Sequence, residues 1–373
     1  YAGIPVTDRR YASSLRVLTG NTGETDRGAK GLPEETPAET IVALMAVRRL
    51  PDLVDQLRAD GWPEATPVAL IERGTTSRQR TLNTTLGEAV RTASEQELSP
   101  PAITVVGRVV EIRDRIAWFE RKRLFGLRVL VTRARSQAQN LQQLLSDEGA
   151  EAVVAPSIEF QDPPDWSSVD RSIEGFGRFE WIAFTSRNGV FQFLQRMWHQ
   201  GADSRSLAGI KIATVGPMTA AALESHGVRP DLAAGPTAAD LASALAMRMK
   251  PGDRVLHPRG ESSEGPFADW LSESAEVTGV TAYRTIAPDD LRPNVERALR
   301  LGIDAALFAS PSAVTNLVDV IGADSEQLSK STIICIGPVT SAAARNVGLN
   351  VTSEAREPSD QGLVDALVSV RTQ

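Results

Sequence analysis

The feature that most constrains the fold of this chain is an internal duplication that begins near Leu127. The block at Arg128 (RVLVTRARS) recurs at Arg254 (RVLHPRGES), and the block around Ser186 (FTSRNGV) recurs around Ser310 (FASPSAV). Further along, IATVGPMTAAA recurs as IICIGPVTSAAA, and AADLASAL recurs as DQGLVDAL. These blocks are typical of a short apolar strand, a turn of small or hydroxyl residues and a helix. We therefore predict two similar α/β domains with parallel sheets, whose ligands bind beyond the carboxyl ends of the strands.

The bulk composition narrows the class of protein further. With 42% hydrophobic and 23% charged residues, the 373-residue chain has the composition of a globular protein of two or three domains. The one cysteine, Cys335, excludes an internal disulfide and favours a reducing compartment. The amino terminus has no pattern of a secretory signal, and no apolar run is long enough to span a membrane, so we predict a cytoplasmic protein. A net charge of -7 disfavours a nucleic-acid partner.

The first third of the chain follows a different pattern, in which strand and helix segments alternate. The predicted order is a loop (22–40), a strand (TIVALMAV), a helix (LPDLVDQLRADG), two strands (TPVALIERG, PAITVVGRVV) and a terminal helix (EIRDRIAWFERKR). The strand and helix pattern restarts near Gly126. We therefore predict an amino-terminal domain over 1–120 and a basic linker over 121–126.

Hydroxyl and arginine side chains recur where the predicted strands end. Hydroxyls and amides at such positions either cap the following helix or help its free N–H groups to bind an anion, and the sequence leaves both interpretations open. The arginines Arg133 and Arg259 end equivalent strands, where a guanidinium binds a carboxylate of a ligand or forms a structural salt bridge. The candidate substrate-binding residues are Arg133, Thr185, Ser186, Asn188, Thr219, Arg259, Ser310, Ser312 and Thr340.

Tyrosine and histidine are two further residue types that can carry chemistry. The phenol of Tyr283, after the apolar run EVTGVTAY, either donates a proton to a leaving group or packs in the core. The three histidines, His199, His226 and His257, are too scattered for a metal site, and we interpret them as structural. No phosphate-binding loop of the GxGxxG or GxxxxGK type occurs, which argues against a nucleotide site.

Taken together, these segments resemble the uroporphyrinogen-III synthase family from about Leu127 to Gln373. The motifs that carry the resemblance are VLVTRA, FTSRNGV, TVGPMTA, PRG, AYRT, FASPSAV and IGPVTSAAA. The family's fold implies one discontinuous domain (127–157 plus 286–373) and one inserted domain (161–280), joined by a two-stranded ladder of PSIEF and TAYRT. The segment after Pro258-Arg259-Gly260 (ESSEGPF) lacks the basic residue that is usual in the family.

The resemblance implies a reaction as well as a fold. Enzymes of this family cyclise the linear tetrapyrrole hydroxymethylbilane to uroporphyrinogen III, with loss of water and inversion of the last pyrrole ring, and need neither a metal nor an organic cofactor. By position, Tyr283 resembles the tyrosine that assists loss of the hydroxyl group. Ser186, Thr219, Ser310 and Thr340 resemble hydroxyls that contact the carboxylate-rich substrate.

Residues 1–120 resemble a second family, the carboxyl-terminal half of uroporphyrinogen-III C-methyltransferase, through AGIPVTDRRYA, VLTGN, TPVALIERGTTSRQR and SPPAITVVG. By this resemblance Met45, Gly74 and Ala102 fall on positions that bind the methyl donor S-adenosylmethionine. The family's GxGPGD loop is absent from the sequence, so we do not expect this chain to transfer methyl groups by itself. The partial domain also suggests self-association through its open sheet edge.

Two alternatives to a synthase remain open at this point. The first is S-adenosylmethionine-dependent methylation, as part of a bifunctional methyltransferase and synthase. The second is a non-enzymatic, two-lobed binding module, because duplicated α/β domains also serve as ligand receptors.

Overall fold

The computed structural model describes residues 1–19, 38–261, 266–322 and 328–372. The chain forms two compact units, one of Tyr1–Ser157 with Asp290–Gln373 and one of Ile158–Asp289. Most of the loop predicted at 22–40 and most of the ESSEGPF segment lie outside the described residues. Within the described ranges, no helix is long and apolar enough to cross a membrane.

The amino-terminal part of the first unit is a mixed five-stranded sheet. Its elements are β1 (Ser14–Thr19), β2 (Glu39–Leu44), α1 (Leu50–Ala59), β3 (Pro67–Glu72), β4 (Arg80–Thr85), α2 (Ala89–Glu95), β5 (Ala102–Val106) and α3 (Arg113–Ile116). The strand order is β1-β2-β5-β3-β4, in which only β1 and β2 are parallel. The structure confirms the predicted strands β2, β3 and β5 and helix α1. Strands β1 and β4 were not predicted, because their partly exposed residues show no clear apolar pattern.

The predicted terminal helix EIRDRIAWFERKR is wrong, since only Arg113–Ile116 is α-helical. The chain turns extended at Ala117, where a side chain on Gly3 would lie 2.5 Å from the Ala117 Cα. Beyond this close contact, Phe119 is buried against the rings of Tyr1 and Phe125. Burial of this ring outweighs the helix propensity of the segment, because tertiary packing routinely overrides propensity.

The rest of the first unit, residues 127–157 and 290–372, is called lobe 1 below. Its elements are β6 (Arg128–Val131), α4 (Ala138–Asp147), β7 (Glu151–Val154), α10 (Leu291–Leu301), β14 (Ala305–Phe308), α11 (Pro311–Ile321), β15 (Thr332–Cys335), α12 (Pro338–Asn346), β16 (Val351–Glu354) and α13 (Asp360–Arg371). The five strands are all parallel, in the order β16-β15-β14-β6-β7. The central strands are short apolar runs buried on both faces, as helix-covered parallel sheets require.

The second unit, residues 158–289, is called lobe 2. Its elements are β8 (Glu159–Gln161), α5 (Ser167–Glu174), β9 (Trp181–Phe184), α6 (Arg187–His199), β10 (Lys211–Val215), α7 (Gly216–Glu224), β11 (Leu232–Ala234), α8 (Ala238–Ala246), β12 (Asp253–Gly260), α9 (Phe267–Leu271) and β13 (Ala275–Ile286). The strand order is β11-β10-β9-β12-β13-β8, with only β8 antiparallel to its neighbour.

The five strands of lobe 1 have the same order and direction as five of the six strands of lobe 2. Strands β16, β15, β14, β6 and β7 of lobe 1 occupy the places of β11, β10, β9, β12 and β13 in lobe 2. The predicted ladder is present. Strand β8 (Glu159–Gln161), which begins within PSIEF and ends one residue after it, pairs with the end of β13 at Arg284–Ile286. The predicted fold class of two similar parallel α/β domains, with a ladder and a preceding partial α/β domain, is therefore confirmed.

Candidate active site

The turn after β9 holds the hydroxyl pair of the FTSRNGV motif. Ser186 caps helix α6, because its Oγ accepts a hydrogen bond of 3.0 Å from the backbone N–H of Gly189. The same Oγ lies 3.2 Å from the phenol oxygen of Tyr283, at hydrogen-bond distance. The structure thus brings the predicted catalytic phenol together with a predicted substrate-contacting hydroxyl, at the start of a 13-residue helix.

The ring of Tyr283 is held tightly in lobe 2. It is 6% exposed and packs edge-on against Phe160 of β8, with the ring centroids 5.7 Å apart. On the other side it meets Gly260, where an added Cβ would lie only 2.9 Å from the ring carbon Cζ. The register of β12 shifts between Arg259 and Gly260, which places Gly260 opposite Tyr283. A side chain at position 260 would therefore displace the phenol.

A second contact at the same strand ends joins Thr185 to His257. The Thr185 Oγ1 and His257 Nε2 atoms are 3.0 Å apart, and the imidazole packs against the ring of Phe267 at a centroid distance of 4.4 Å. Burial, together with the nearby guanidinium of Arg259, lowers the pKa of His257 to about 4. The imidazole is therefore neutral at physiological pH. Sequence reasoning missed this neighbour of the site, because its partner is 72 residues away.

The buried histidine makes stability depend on pH. In the unfolded chain the imidazole binds a proton at its ordinary pKa of 6.5, whereas in the folded chain it does so only near 4. The unfolded chain binds more protons in this window, so the free energy of unfolding falls as the pH drops from about 6.5 toward 4. The variant His257→Gln keeps a hydrogen-bonding side chain that does not titrate. Between pH 7 and pH 5 we expect its free energy of unfolding to fall by about 2 kcal/mol less than that of the wild type. Urea unfolding at both pH values measures this difference, and equal losses would contradict it.

The equivalent strand ends of lobe 1 carry a different set of contacts. Ser310 caps α11 by accepting from the backbone N–H of Ala313 at 3.2 Å, as Ser186 does in lobe 2. Arg133, by contrast, forms an ion pair with Asp360 in which Nη1 and Oδ1 are 2.7 Å apart and both side chains are largely buried. For Arg133 the structure thus shows the salt bridge that the sequence left open as one of two interpretations.

The remaining predicted substrate-binding residues lie in the first turns of the four helices that follow these strands. Thr219 of α7 and Thr340 of α12 are buried, at 5% and 3% exposure. Asn188 of α6 and Ser312 of α11 are half-buried. The substrate-binding roles of these four residues stay predictions.

Of the other two histidines, His226 contacts the carbonyl oxygen of Ala222 through Nδ1 at 3.0 Å.

The three residues predicted to bind a methyl donor line one cavity of about 640 Å³ in the first unit. Met45 adopts a positive φ of 53° there and is 65% exposed, whereas Ala102 is buried. Gly74 follows a turn residue, Arg73, that also has a positive φ. The cavity has the size of a small-molecule site. Two residues of lobe 1, Arg128 and Glu151, complete its lining and pair with each other at 3.0 Å.

The fold and these turns define a class of protein: duplicated parallel α/β lobes whose polar side chains gather at the carboxyl ends of the strands. The family model of uroporphyrinogen-III synthase HemD matches residues 139–365, which is more than half of the chain. The chain therefore belongs to the uroporphyrinogen-III synthase family. The model of tetrapyrrole (corrin/porphyrin) methylases matches residues 1–90.

Two relatives agree with these matches. The chain is 31% identical over 378 residues to the porphyrin biosynthesis protein HemD of Ruminiclostridium josui, covering 99% of this chain and 74% of that one. It is 31% identical over 242 residues to uroporphyrinogen-III C-methyltransferase of Bacillus subtilis (strain 168), covering 62% of this chain and 48% of that one. Among solved structures, a mutant uroporphyrinogen III synthase of Thermus thermophilus is similar over 66% of this chain and 99% of its own, with 18% identity and a TM-score of 0.49.

Proposed function

We propose that this protein is a uroporphyrinogen-III synthase, a cyclising lyase that converts hydroxymethylbilane to uroporphyrinogen III and water. The observation that carries the proposal is the contact of Tyr283 with the helix-capping Ser186, in a chain of this family. The phenol lies at the end of parallel strands, where ligands of such sheets bind. We propose no metal or organic cofactor for this reaction.

In the proposed reaction Tyr283 is the general acid. Its O–H donates a proton to the terminal hydroxyl of the substrate, the C–O bond breaks, and water leaves while the pyrrole nitrogen stabilises the cation. The cation is then attacked by the substituted α-carbon of the last pyrrole ring, which gives a spiro intermediate. The bond from that carbon to its original methylene bridge breaks, the methylene bonds to the other α-carbon of the same ring, and the proton lost from that carbon restores the phenol. The contact with Ser186 holds the phenol in one orientation.

Acetate and propionate groups of the substrate would be bound by the strand-end turn of lobe 2 that carries Ser186. The N–H groups at the start of α6 favour a carboxylate, since helix amino termini carry partial positive charge. The side chains of Thr185, just before the cap, and of Asn188, in the first turn, would supply further hydrogen bonds.

The decisive experiment is incubation with hydroxymethylbilane, oxidation of the product and separation of the type I and type III isomers by chromatography. We expect mainly the type III isomer. Hydroxymethylbilane closes without an enzyme to the type I isomer, so formation of type I alone would reject the synthase and favour the non-enzymatic binding module.

A methyltransferase activity of this chain is the second candidate, because the methylase model matches residues 1–90. We propose that the chain by itself does not methylate. The cavity that holds Met45, Gly74 and Ala102 is also lined by the ion pair of Arg128 and Glu151, which places two charged side chains beside the predicted donor positions. Calorimetric titration with S-adenosylmethionine should then give no binding heat. Saturable one-to-one binding would revive this candidate.

We also propose that the amino-terminal sheet mediates self-association and that the protein is cytoplasmic. On the edge strand β1, Leu15 and Val17 are exposed, as are Leu44 at the end of the adjacent β2 and Met45 just after it. Apolar side chains on a sheet edge favour pairing with another copy. Light scattering of the wild type and of Val17→Asp tests this, and a wild-type monomer would contradict it.

A further inference from the structure

The two equivalent arginines of the duplication, Arg133 and Arg259, have different surroundings. In lobe 1 the guanidinium of Arg133 is neutralised by Asp360, the first residue of α13. The other carboxylate oxygen of Asp360 accepts a hydrogen bond of 2.9 Å from the side chain of Asn140 in α4. The charge of Arg133 is thus compensated within the protein.

Lobe 2 lacks this acid at the equivalent position. Helix α8 is the counterpart of α13, because each follows an edge strand and packs against the helix after the first strand of its duplicated block. Both helices have a hydroxyl cap, Thr237 and Ser359, that accepts from the N–H three residues on. The residue after the cap is Asp360 in lobe 1 but Ala238 in lobe 2.

The nearby Asp240 does not replace the missing acid. Its carboxylate accepts hydrogen bonds from the backbone N–H of Thr237 at 3.0 Å and from the Thr237 hydroxyl at 2.7 Å. These contacts form a capping box at the start of α8. The carboxylate is therefore used within its own helix.

The strands of lobe 2 have also been altered around Arg259. In lobe 1 Val131 of β6 lies opposite Val154 of β7, whereas the equivalent pair in lobe 2 is His257 and Gly279. A Cβ on Gly279 would lie 3.2 Å from the Arg259 Nε, so the glycine leaves the room that the guanidinium fills. Gly279 is exposed, which leaves this side of the sheet open to a ligand.

The guanidinium of Arg259 has an unused donor. Its Nη1 is buried and makes no hydrogen bond with any residue that the structure describes. A buried charged donor without a partner costs free energy, and a carboxylate of a ligand at this position would supply its acceptor. The flat fork of N–H groups matches a carboxylate.

We infer that Arg259 binds one carboxylate of the substrate, that Gly279 is its positioning residue, and that Arg133 has only a structural role. This inference rests on the proposed function for the identity of the substrate, an acetate- and propionate-bearing tetrapyrrole. The duplication alone would give both arginines the same role, whereas the inference gives carboxylate binding to Arg259 of lobe 2 only.

The test compares Arg259→Gln with the matched variant Arg133→Gln. We expect Arg259→Gln to raise KM for hydroxymethylbilane by about 10- to 100-fold with a smaller change in kcat, the loss typical of a hydrogen-bonded charge. Arg133→Gln should lower the melting temperature and leave KM within about twofold. An unchanged KM in Arg259→Gln, or an equal rise in both variants, would overturn the inference.

A second variant and a second readout separate this inference from the proposed function. Gly279→Val restores the valine of lobe 1, displaces the guanidinium and should raise KM while Arg259 is still present. Binding of uroporphyrin III, followed by fluorescence, should weaken in Arg259→Gln and Gly279→Val but not in Arg133→Gln. If the wild type formed only the type I isomer, the synthase would be rejected, and porphyrin binding would still decide the role of Arg259. Porphyrin binding as tight as in the wild type in both Arg259→Gln and Gly279→Val would reject the carboxylate-binding role of Arg259.

Discussion

Replacement of Tyr283 by phenylalanine is expected to lower kcat for uroporphyrinogen III formation by about 100-fold, at the low end of the range for a general acid. The phenyl ring of the variant would keep the contacts with Phe160 and Gly260, so the fold should be unchanged. The proton that leaves with the hydroxyl group would be lost, together with the contact to Ser186. Initial rates, with type III and type I isomers measured separately, give the result, because the uncatalysed closure yields type I.

The matched control for this substitution is Tyr11→Phe. Tyr11 lies in the amino-terminal part, where its ring stacks with Arg108 at 4.7 Å. Loss of that hydroxyl should leave kcat unchanged. An undiminished rate of type III formation in Tyr283→Phe would remove the phenol from the mechanism and leave Tyr283 as a packing residue.

The largest expected loss of stability follows Asp360→Ala, at about 3 kcal/mol. The substitution strands the guanidinium of Arg133, which is only 7% exposed, without its carboxylate. The side chain of Asn140 loses its acceptor as well. Urea unfolding of the purified variant measures the change in the free energy of unfolding.

Asp365→Ala on the same helix is the control for this loss. Asp365 is exposed, so its removal should change the free energy of unfolding by no more than about 0.5 kcal/mol. A loss of under about 1 kcal/mol in Asp360→Ala would show that the ion pair is solvated, as surface pairs are.

The sequence predicts the strand-end turns well because their signals are local. Ser186 and Ser310 each follow a four-residue buried strand and cap the helix that begins at the next residue. The whole signal fits within one heptapeptide, and it occurs twice. The duplicated local signals also predict two similar parallel α/β domains, since each apolar run needs a neighbouring strand and a covering helix. The discontinuous first domain and the ladder are implied only by the family resemblance.

The contacts between those turns cannot be predicted in this way. Ser186 and Tyr283 are 97 residues apart, and Thr185 and His257 are 72 apart. They meet because β12 lies directly beside β9 in the sheet, although β11 is closer to β9 in sequence. Arg133 and Arg259 likewise look alike in sequence, because their local segments do not contain the distant residues around them. What distinguishes them is an acid at the start of a distant helix.

The antiparallel ladder of β8 with β13 has a consequence for how the protein is made. The chain enters lobe 2 through β8 and leaves it through β13, so all strands of that lobe are synthesised in one continuous stretch. Lobe 1, by contrast, cannot be completed until its second segment has been synthesised. For example, the Thr132 hydroxyl donates to the carbonyl of Leu307, which lies 175 residues later. During translation the lobe that begins later in the chain is therefore complete first, while β6 and β7 remain an unfinished two-strand edge, the state in which a nascent chain is most prone to pair wrongly.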